Sequence, residues 1–254
     1  GQDEYTHMTL MDGEPGELLS HGKNTFVYHS NENNVVIQKR AHHHLFPSVL
    51  PSSPENLKKV YTLSFGQVQR VADRMAQMLI LIPKDDFRHQ YHFWIDQETA
   101  LPLKMIVSNK SNEVIEQASF IKLKIIGAEK DLSWFKPRID LSKEYVMDEK
   151  EEVILPGLKF WTFRKVPKGF SEMNATATRN KEINVLSHHL IYSDGLSYIS
   201  VFIQPVQTGL KPKVGNISME GTNVSATYYR GYQVMAVGTV PMSTLESFTK
   251  SISF

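Results

Sequence analysis

The chain has 254 residues, a net charge of +1 and 41% apolar residues. That is enough hydrophobic material for one large domain or two ordinary ones, and it excludes a disordered chain and a bulk electrostatic attraction for nucleic acid. There is no cysteine, which excludes disulfides, thiolate metal sites, a cysteine nucleophile and a lipidated N-terminal cysteine. No apolar run approaches the length of a membrane span. The opening residues Gly1, Gln2, Asp3, Glu4 and Tyr5 do not form a signal peptide, so the expectation is a cytosolic chain or a matured or trimmed one.

The first segment predicts an antiparallel meander. Strand-like runs at 5–11, 17–20, 25–29 and 35–38 alternate with turns around Gly13, Gly22 and Asn33. Three prolines, Pro47, Pro51 and Pro54, make residues 45–54 a loop or capping excursion. A helical turn is expected at 55–59, and strand character resumes at 61–68.

Residues 71–120 carry the strongest signal, four long strands separated by short polar turns. In 75–82, Leu79 and Leu81 alternate with Met78, Ile80 and Ile82. Both faces are apolar, so this strand must be covered twice or line an apolar space. In 87–95, Phe87, His89, Tyr91, Phe93 and Ile95 alternate with Arg88, Gln90, His92 and Trp94, which predicts roughly 30 Å of strand. Turns are expected at 96–99 and 108–112. Ile121, Leu123 and Ile125 alternate with Lys122 and Lys124, giving one wet face.

The charged run at 143–152 is the linker candidate, with domains expected at 1–130 and 158–254 and the linker at 131–157. The second unit is again β-rich. Hairpins are predicted for 185–192 with 196–203 across Ser193-Asp194-Gly195, and for 224–229 with 232–240 across Arg230-Gly231. A closing helix is predicted with Ser243 and Glu246 as a capping box and with Leu245, Phe248 and Ile252 on one face, packed on the smaller sheet.

Chemistry-bearing motifs are sparse. Adjacent histidines on an extended chain point to opposite faces, so His42-His43-His44 and His188-His189 are poor metal sites. Asp73 beside Arg74 predicts a strand-end ion pair. No Gly-x-Ser-x-Gly elbow, dinucleotide fingerprint or phosphate loop is present. Sequons at Asn109, Asn174, Asn216 and Asn223 matter only in a eukaryotic secretory setting. The expectation is no enzyme, no catalytic residue, no cofactor and no metal; a metal-dependent hydrolase using His42, His44 and His89 is the weakest reading. Trp94, Trp134, Phe135, Phe160, Trp161 and Phe163 gather around the linker, either as packing or as an apolar groove for a peptide or acyl chain.

Several short motifs, taken in order, carry a family likeness. Arg70-Val71-Ala72-Asp73-Arg74, Pro83-Lys84-Asp85-Asp86-Phe87-Arg88, Phe93-Trp94-Ile95-Asp96 followed by Thr99, Leu101, Pro102 and Lys104, and Glu116 with Phe120 resemble the N-terminal domain of the RseB/MucB family. Pro167-Lys168-Gly169-Phe170 and Leu190-Ile191-Tyr192-Ser193-Asp194-Gly195-Leu196 resemble its C-terminal domain. The resemblance implies an α+β, mostly antiparallel fold, with a half-open β-barrel similar to the carriers LolA and LolB and a smaller α+β domain. It implies a periplasmic regulator that binds an RseA/MucA-like transmembrane anti-sigma factor and shields it from regulated proteolysis. Lipid, lipopolysaccharide or mislocalised lipoprotein would be the releasing signal. A periplasmic lipid or lipoprotein carrier is the alternative, and a homodimer is left open. On the matching motifs, Met78, Ile80, Ile82, Tyr91 and Phe93 are the lipid-cavity candidates. Trp161, Phe163, Phe170, Tyr192 and Tyr198 are the partner-binding candidates. The family's signal peptide, N-terminal helix and further strands have no counterpart before Glu4, so a half-barrel lacking part of its wall is expected.

Overall fold

The computed structural model of the chain describes residues 5–10, 16–21, 24–30, 34–41, 46–47, 49–51, 55–125, 133–138, 144–147, 152–153, 161–180, 185–207, 209–219 and 221–253. His42, His43, His44 and Phe160 lie outside the described residues. The first strands are β1 (Tyr5–Thr9), β2 (Gly16–His21), β3 (Asn24–Ser30) and β4 (Asn34–Ala41), followed by helix α1 (Glu55–Val60). Next come β5 (Tyr61–Val71), β6 (Arg74–Pro83), β7 (Gln90–Asp96), β8 (Pro102–Ser108) and β9 (Val114–Ser119). Two short strands follow, β10 (Glu144–Met147) and β11 (Glu152–Val153), both inside the stretch expected to be linker. The remainder holds β12 (Thr162–Phe163), β13 (Ser171–Asn180), β14 (Val185–Ser193), β15 (Tyr198–Pro205), β16 (Gly215–Met219), β17 (Thr222–Tyr229), β18 (Tyr232–Gly238), α2 (Met242–Thr249) and β19 (Ile252–Ser253).

The fold is mostly antiparallel β with few helices, as the sequence predicts, and no described sheet closes into a barrel. The chain divides into two compact units, Gly1–His44 with Lys124–Lys150, and Leu45–Leu123 with Glu151–Phe254. The stretch 1–130 therefore contributes to both.

The first unit is a sheet in the order β1-β2-β3-β4-β10, with β10 pairing β4 in parallel. Its described core includes a buried carboxylate. Glu17 Oε2 lies 2.7 Å from His7 Nε2, and both Glu17 oxygens accept from the Arg138 backbone N–H at 2.8 Å. A buried carboxylate is stable only with such partners. Tyr5 stacks on His21, its cross-strand neighbour, with ring centroids 4.0 Å apart.

The second unit holds a five-stranded sheet, β5-β6-β7-β8-β9, and a seven-stranded sheet, β11-β13-β14-β15-β18-β17-β16. Two-residue turns close the β5–β6 and β17–β18 hairpins. Ala72 and Asp73 both have positive φ, as do Arg230 and Gly231, the backbone twist that matches flanking strands. In the seven-stranded sheet, alternate residues Leu190, Ile199, Val201, Ile203, Val234 and Ala236 face α2 and bury against Leu245 and Phe248.

Three local expectations are corrected. The predicted strand 87–95 begins only at Gln90, because Phe87, Arg88 and His89 precede it in a bend that carries the Arg88 side chain into the interior. Asp73 pairs with Arg70, not Arg74; Arg74 instead makes a two-pronged pair with Asp96 at 3.0 and 2.9 Å. That guanidinium, joined by the Thr99 hydroxyl, holds the Asp96 carboxyl below the usual carboxylate range. Helix α2 has Pro241 at its N-cap and no side-chain cap. Ser243 and Glu246 are drawn elsewhere, Ser243 to the Asp86 carbonyl and Glu246 to Lys250 and Asn216.

Candidate functional site

The five-stranded sheet has two different faces. Register places Leu79 opposite Phe93 and Leu81 opposite Tyr91, and these four join Leu57, Val60, Tyr61, Met105 and Val107 in one cluster. Register also sets Met78 opposite Trp94 and Ile80 opposite His92, on the other face. The lipid-cavity candidates thus fall on two faces: Tyr91 and Phe93 are buried core, whereas Met78 and Ile80 are half-exposed and Ile82 is 40% exposed. Period-two alternation fixes this split, since paired residues share a face and their chain neighbours do not.

The partner-binding candidates are also mostly interior. Trp161, Phe170 and Tyr192 are buried, Phe163 packs against the same core, and Tyr198 is half-exposed. Phe163, Tyr192 and Phe248 form a ring cluster with centroids 4.8–5.9 Å apart. Burial and the nearby Glu172 carboxylate push the Tyr192 hydroxyl well above the usual phenol range.

The residues that organise this unit were not among the candidates. Arg88 is 0% exposed. Its Nε donates to Asp194 Oδ2 at 2.8 Å, its other nitrogens reach Asp85 and the Lys168 carbonyl, and its plane lies 4.8 Å from the Phe170 ring centre. Tyr61 donates to the same Asp194 oxygen at 3.2 Å, and burial first, then that carboxylate, raises its hydroxyl far above the phenol range. The second oxygen of Asp194 accepts from the backbone N–H groups of Leu196 and Ser197 at 3.0 and 2.8 Å. Ser197 Oγ and Tyr91 Oη are 3.0 Å apart. The tip of the β14–β15 hairpin is thereby plugged into the base of the five-stranded sheet, with every oxygen of its buried carboxylate satisfied.

These contacts give the sequence motifs a physical meaning. The bend ending in Arg88, the Pro167–Phe170 turn and the Ser193–Gly195 turn meet at one guanidinium. Gly169 has φ +90°, and a Cβ there would stand 2.6 Å from Val60 Cγ1 and 2.9 Å from Arg88 Nη2, so only glycine fits that turn. The local alternation gives no sign of this, since Arg88 holds a polar position in 87–95; the local cue is the aspartate at a hairpin tip.

His89, beside Arg88, is buried with no hydrogen-bond partner for Nε2, and burial lowers its pKa to about 4 from the ordinary 6.5. The unfolded chain therefore binds this proton between those values while the folded chain does not, so stability is full above pH 6.5 and falls as the pH drops towards 4. His92 and His188 are shifted in the same direction. The expected result is a lower denaturant midpoint at pH 4.5 than at pH 7, with a smaller drop in the His89→Gln variant; an equal drop in both proteins would remove His89 from the account.

Among the described residues there is no cluster of His, Asp or Glu able to hold a metal ion and no helix long and apolar enough to cross a membrane. A concavity beside Arg88 is walled by Ile82, Pro83, Lys84, Asp85, Asp86 and Gln90 among others, a mixed lining with several charged residues, unlike an acyl-chain site. What the unit offers is a set of surfaces on a pair of sheets cross-braced through Arg88 and Asp194.

Comparison with known proteins identifies the family. The MucB/RseB N-terminal domain matches residues 1–139 and the MucB/RseB C-terminal domain matches residues 157–253; the chain belongs to the MucB/RseB family. It is 23% identical to the sigma-E factor regulatory protein RseB of Haemophilus influenzae, over 98% of this chain and 78% of that protein. It is 26% identical to the sigma factor AlgU regulatory protein MucB of Pseudomonas aeruginosa, over 78% of this chain and 62% of that protein. The fold is similar to that of MucB in the Pseudomonas aeruginosa MucA/MucB complex, with a TM-score of 0.74 at 24% identity over 98% of this chain and 82% of the other.

Proposed function

We propose that this chain is a periplasmic regulator of an envelope-stress sigma factor, not an enzyme, and that it holds the periplasmic region of a membrane-spanning anti-sigma factor and shields it from regulated proteolysis. The observation that carries this reading is membership, through both of its halves, of a family whose relatives are sigma-E and AlgU regulatory proteins and whose MucB has been solved with MucA. The regulator is preferred to a lipid carrier of LolA type because the second, helix-backed sheet is braced to the first through Arg88 and Asp194, which gives the chain a binding body that a single-domain carrier lacks.

A lipid signal would act on the partly exposed apolar face of Met78, Ile80 and Ile82, by favouring the released state. Titration of a labelled periplasmic segment of MucA into the full chain tests both parts. Saturable binding is expected, together with protection of the segment from proteolysis and loss of affinity in saturating amphipathic lipid. Absence of binding would sink the regulator reading, and unchanged affinity in lipid would sink the coupling.

A further inference from the structure

Residues 133–138 of the first unit cross one face of β1 and β2. Tyr5, His7, Glu17 and Leu19 share that face, because register sets Tyr5 opposite His21, His7 opposite Leu19 and Thr9 opposite Glu17. The segment is tied there at three places. The Phe135 ring meets the Tyr5 ring edge-on, with centroids 5.0 Å apart. The Trp134 carbonyl lies 3.2 Å from His7 Nδ1. The Arg138 N–H donates to both oxygens of Glu17.

The His7 ring stands between two acceptors. A backbone carbonyl faces Nδ1, and the Glu17 carboxyl faces Nε2 at 2.7 Å; the two side chains are 7% and 3% exposed. A neutral imidazole carries a single N–H, so it cannot serve a carbonyl and a carboxylate at once. Both contacts are made only while the pair holds a second proton on the line between Nε2 and Oε2, whether that proton sits nearer nitrogen or oxygen. When it is lost to water, one N–H is left for two acceptors. The carboxylate is the stronger acceptor, so the remaining proton stays on Nε2. Nδ1 then faces the Trp134 carbonyl bare, lone pair against lone pair. The Arg138 bond to Glu17 uses neither proton and is kept.

We propose that His7 and Glu17 form a proton-operated latch: their shared proton holds residues 133–138 on the first sheet, and its loss as the pH rises frees the Trp134 end while Arg138 stays attached as the hinge. Release withdraws Phe135 from Tyr5 and opens the face that carries His7 and Glu17 to water. Among the described side chains of β1, β2, β3 and residues 133–138, the other titratable groups are Tyr5, His21, Tyr28, Lys136 and Arg138. Tyr28 stands opposite Glu17; burial, then the Glu17 charge, raises its hydroxyl above the ordinary phenol value, so it stays neutral. Lys136 and Arg138 are exposed cations. His21 is exposed and stacks on Tyr5, a second imidazole whose protonation also reaches this face, so the test separates it.

Fluorine NMR of the full chain carrying fluorinated tryptophan is the test. Trp134 is 44% exposed, whereas Trp94 and Trp161 are buried, and Trp134→Phe assigns its resonance without removing the carbonyl that His7 meets. On titration from about pH 5 to 8, the interval in which histidines commonly change charge, the Trp134 resonance is expected to move reversibly from a held to a released position. In Glu17→Gln the amide N–H donates to His7 Nε2 and the amide oxygen still accepts from Arg138, so a neutral ring keeps its Nδ1–H on Trp134. That variant is expected to stay held throughout the titration, and His21→Gln to respond like the unmodified chain. Proton–nitrogen spectra of the histidine rings need no substitution, and so decide the matter even where Glu17→Gln fails to fold. They are expected to show one ring that loses its Nδ1–H and keeps its Nε2–H in step with Trp134. A Trp134 resonance indifferent to pH would mean a purely structural ion pair and overturn the latch. So would an unchanged response in Glu17→Gln, a lost response in His21→Gln, or no ring losing Nδ1–H in step.

Discussion

Replacing Asp194 by alanine is expected to destabilise the second unit by about 3–5 kcal/mol, the cost of leaving a buried charge without its partner. Arg88 is the reason. Its side chain is fully buried, and a guanidinium stays charged at any ordinary pH. Asp85 would remain beside it, but that carboxylate is partly solvated and does not replace the Asp194 oxygens. Tyr61, Leu196 and Ser197 would lose their acceptor in the same step. Denaturant titration measures the loss as a lower midpoint with an unchanged slope. The double change Arg88→Met/Asp194→Leu supplies the control. Removing both charges is expected to recover much of the loss, because a buried pair is worth far less than the penalty of breaking it. A change below about 1 kcal/mol in Asp194→Ala would show that the pair is solvated.

How much of this was legible beforehand depends on the range over which each feature is determined. The hairpins across Ser193-Asp194-Gly195 and Arg230-Gly231 are short-range, and turn chemistry fixed them. The alternation in Met78–Ile82 was also legible, but it leaves open which face is open, and the candidate list mixed Tyr91 and Phe93 of the core face with Met78, Ile80 and Ile82 of the other. Arg88 was read as the wet position of a strand. Its burial depends on an acid 106 positions away and a carbonyl 80 away, and no local period carries such information. Ser243 and Glu246 matched the capping-box spacing, yet the contacts they make with Asp86, Asn216 and Lys250 won. Three of the motifs that carry the resemblance, 83–88, 167–170 and 190–196, are pieces that meet at Arg88.

Replacing Phe248 by alanine is expected to cost about 3–5 kcal/mol, the usual range for emptying a fully buried aromatic site. The ring is 0% exposed and sits between Phe163 and Tyr192 on the side of α2 that covers the seven-stranded sheet. Those neighbours are braced from other directions, Phe163 by β19 and Tyr192 by its bond to Glu172, so the cavity cannot collapse cheaply. The start of the same helix is tied to the other sheet, since Thr244 Oγ1 donates to the Phe87 carbonyl at 2.8 Å, one residue from Arg88. A loss at Phe248 is therefore expected to lower the melting of both sheets together, as one transition seen alike by tryptophan fluorescence and by amide exchange in β6 and β7. Two separated transitions would mean that the Arg88 junction does not couple the sheets. Phe248→Leu, which refills most of the volume, is expected to restore most of the stability, whereas an equal loss in both variants would place the cost in the helix and not in the ring.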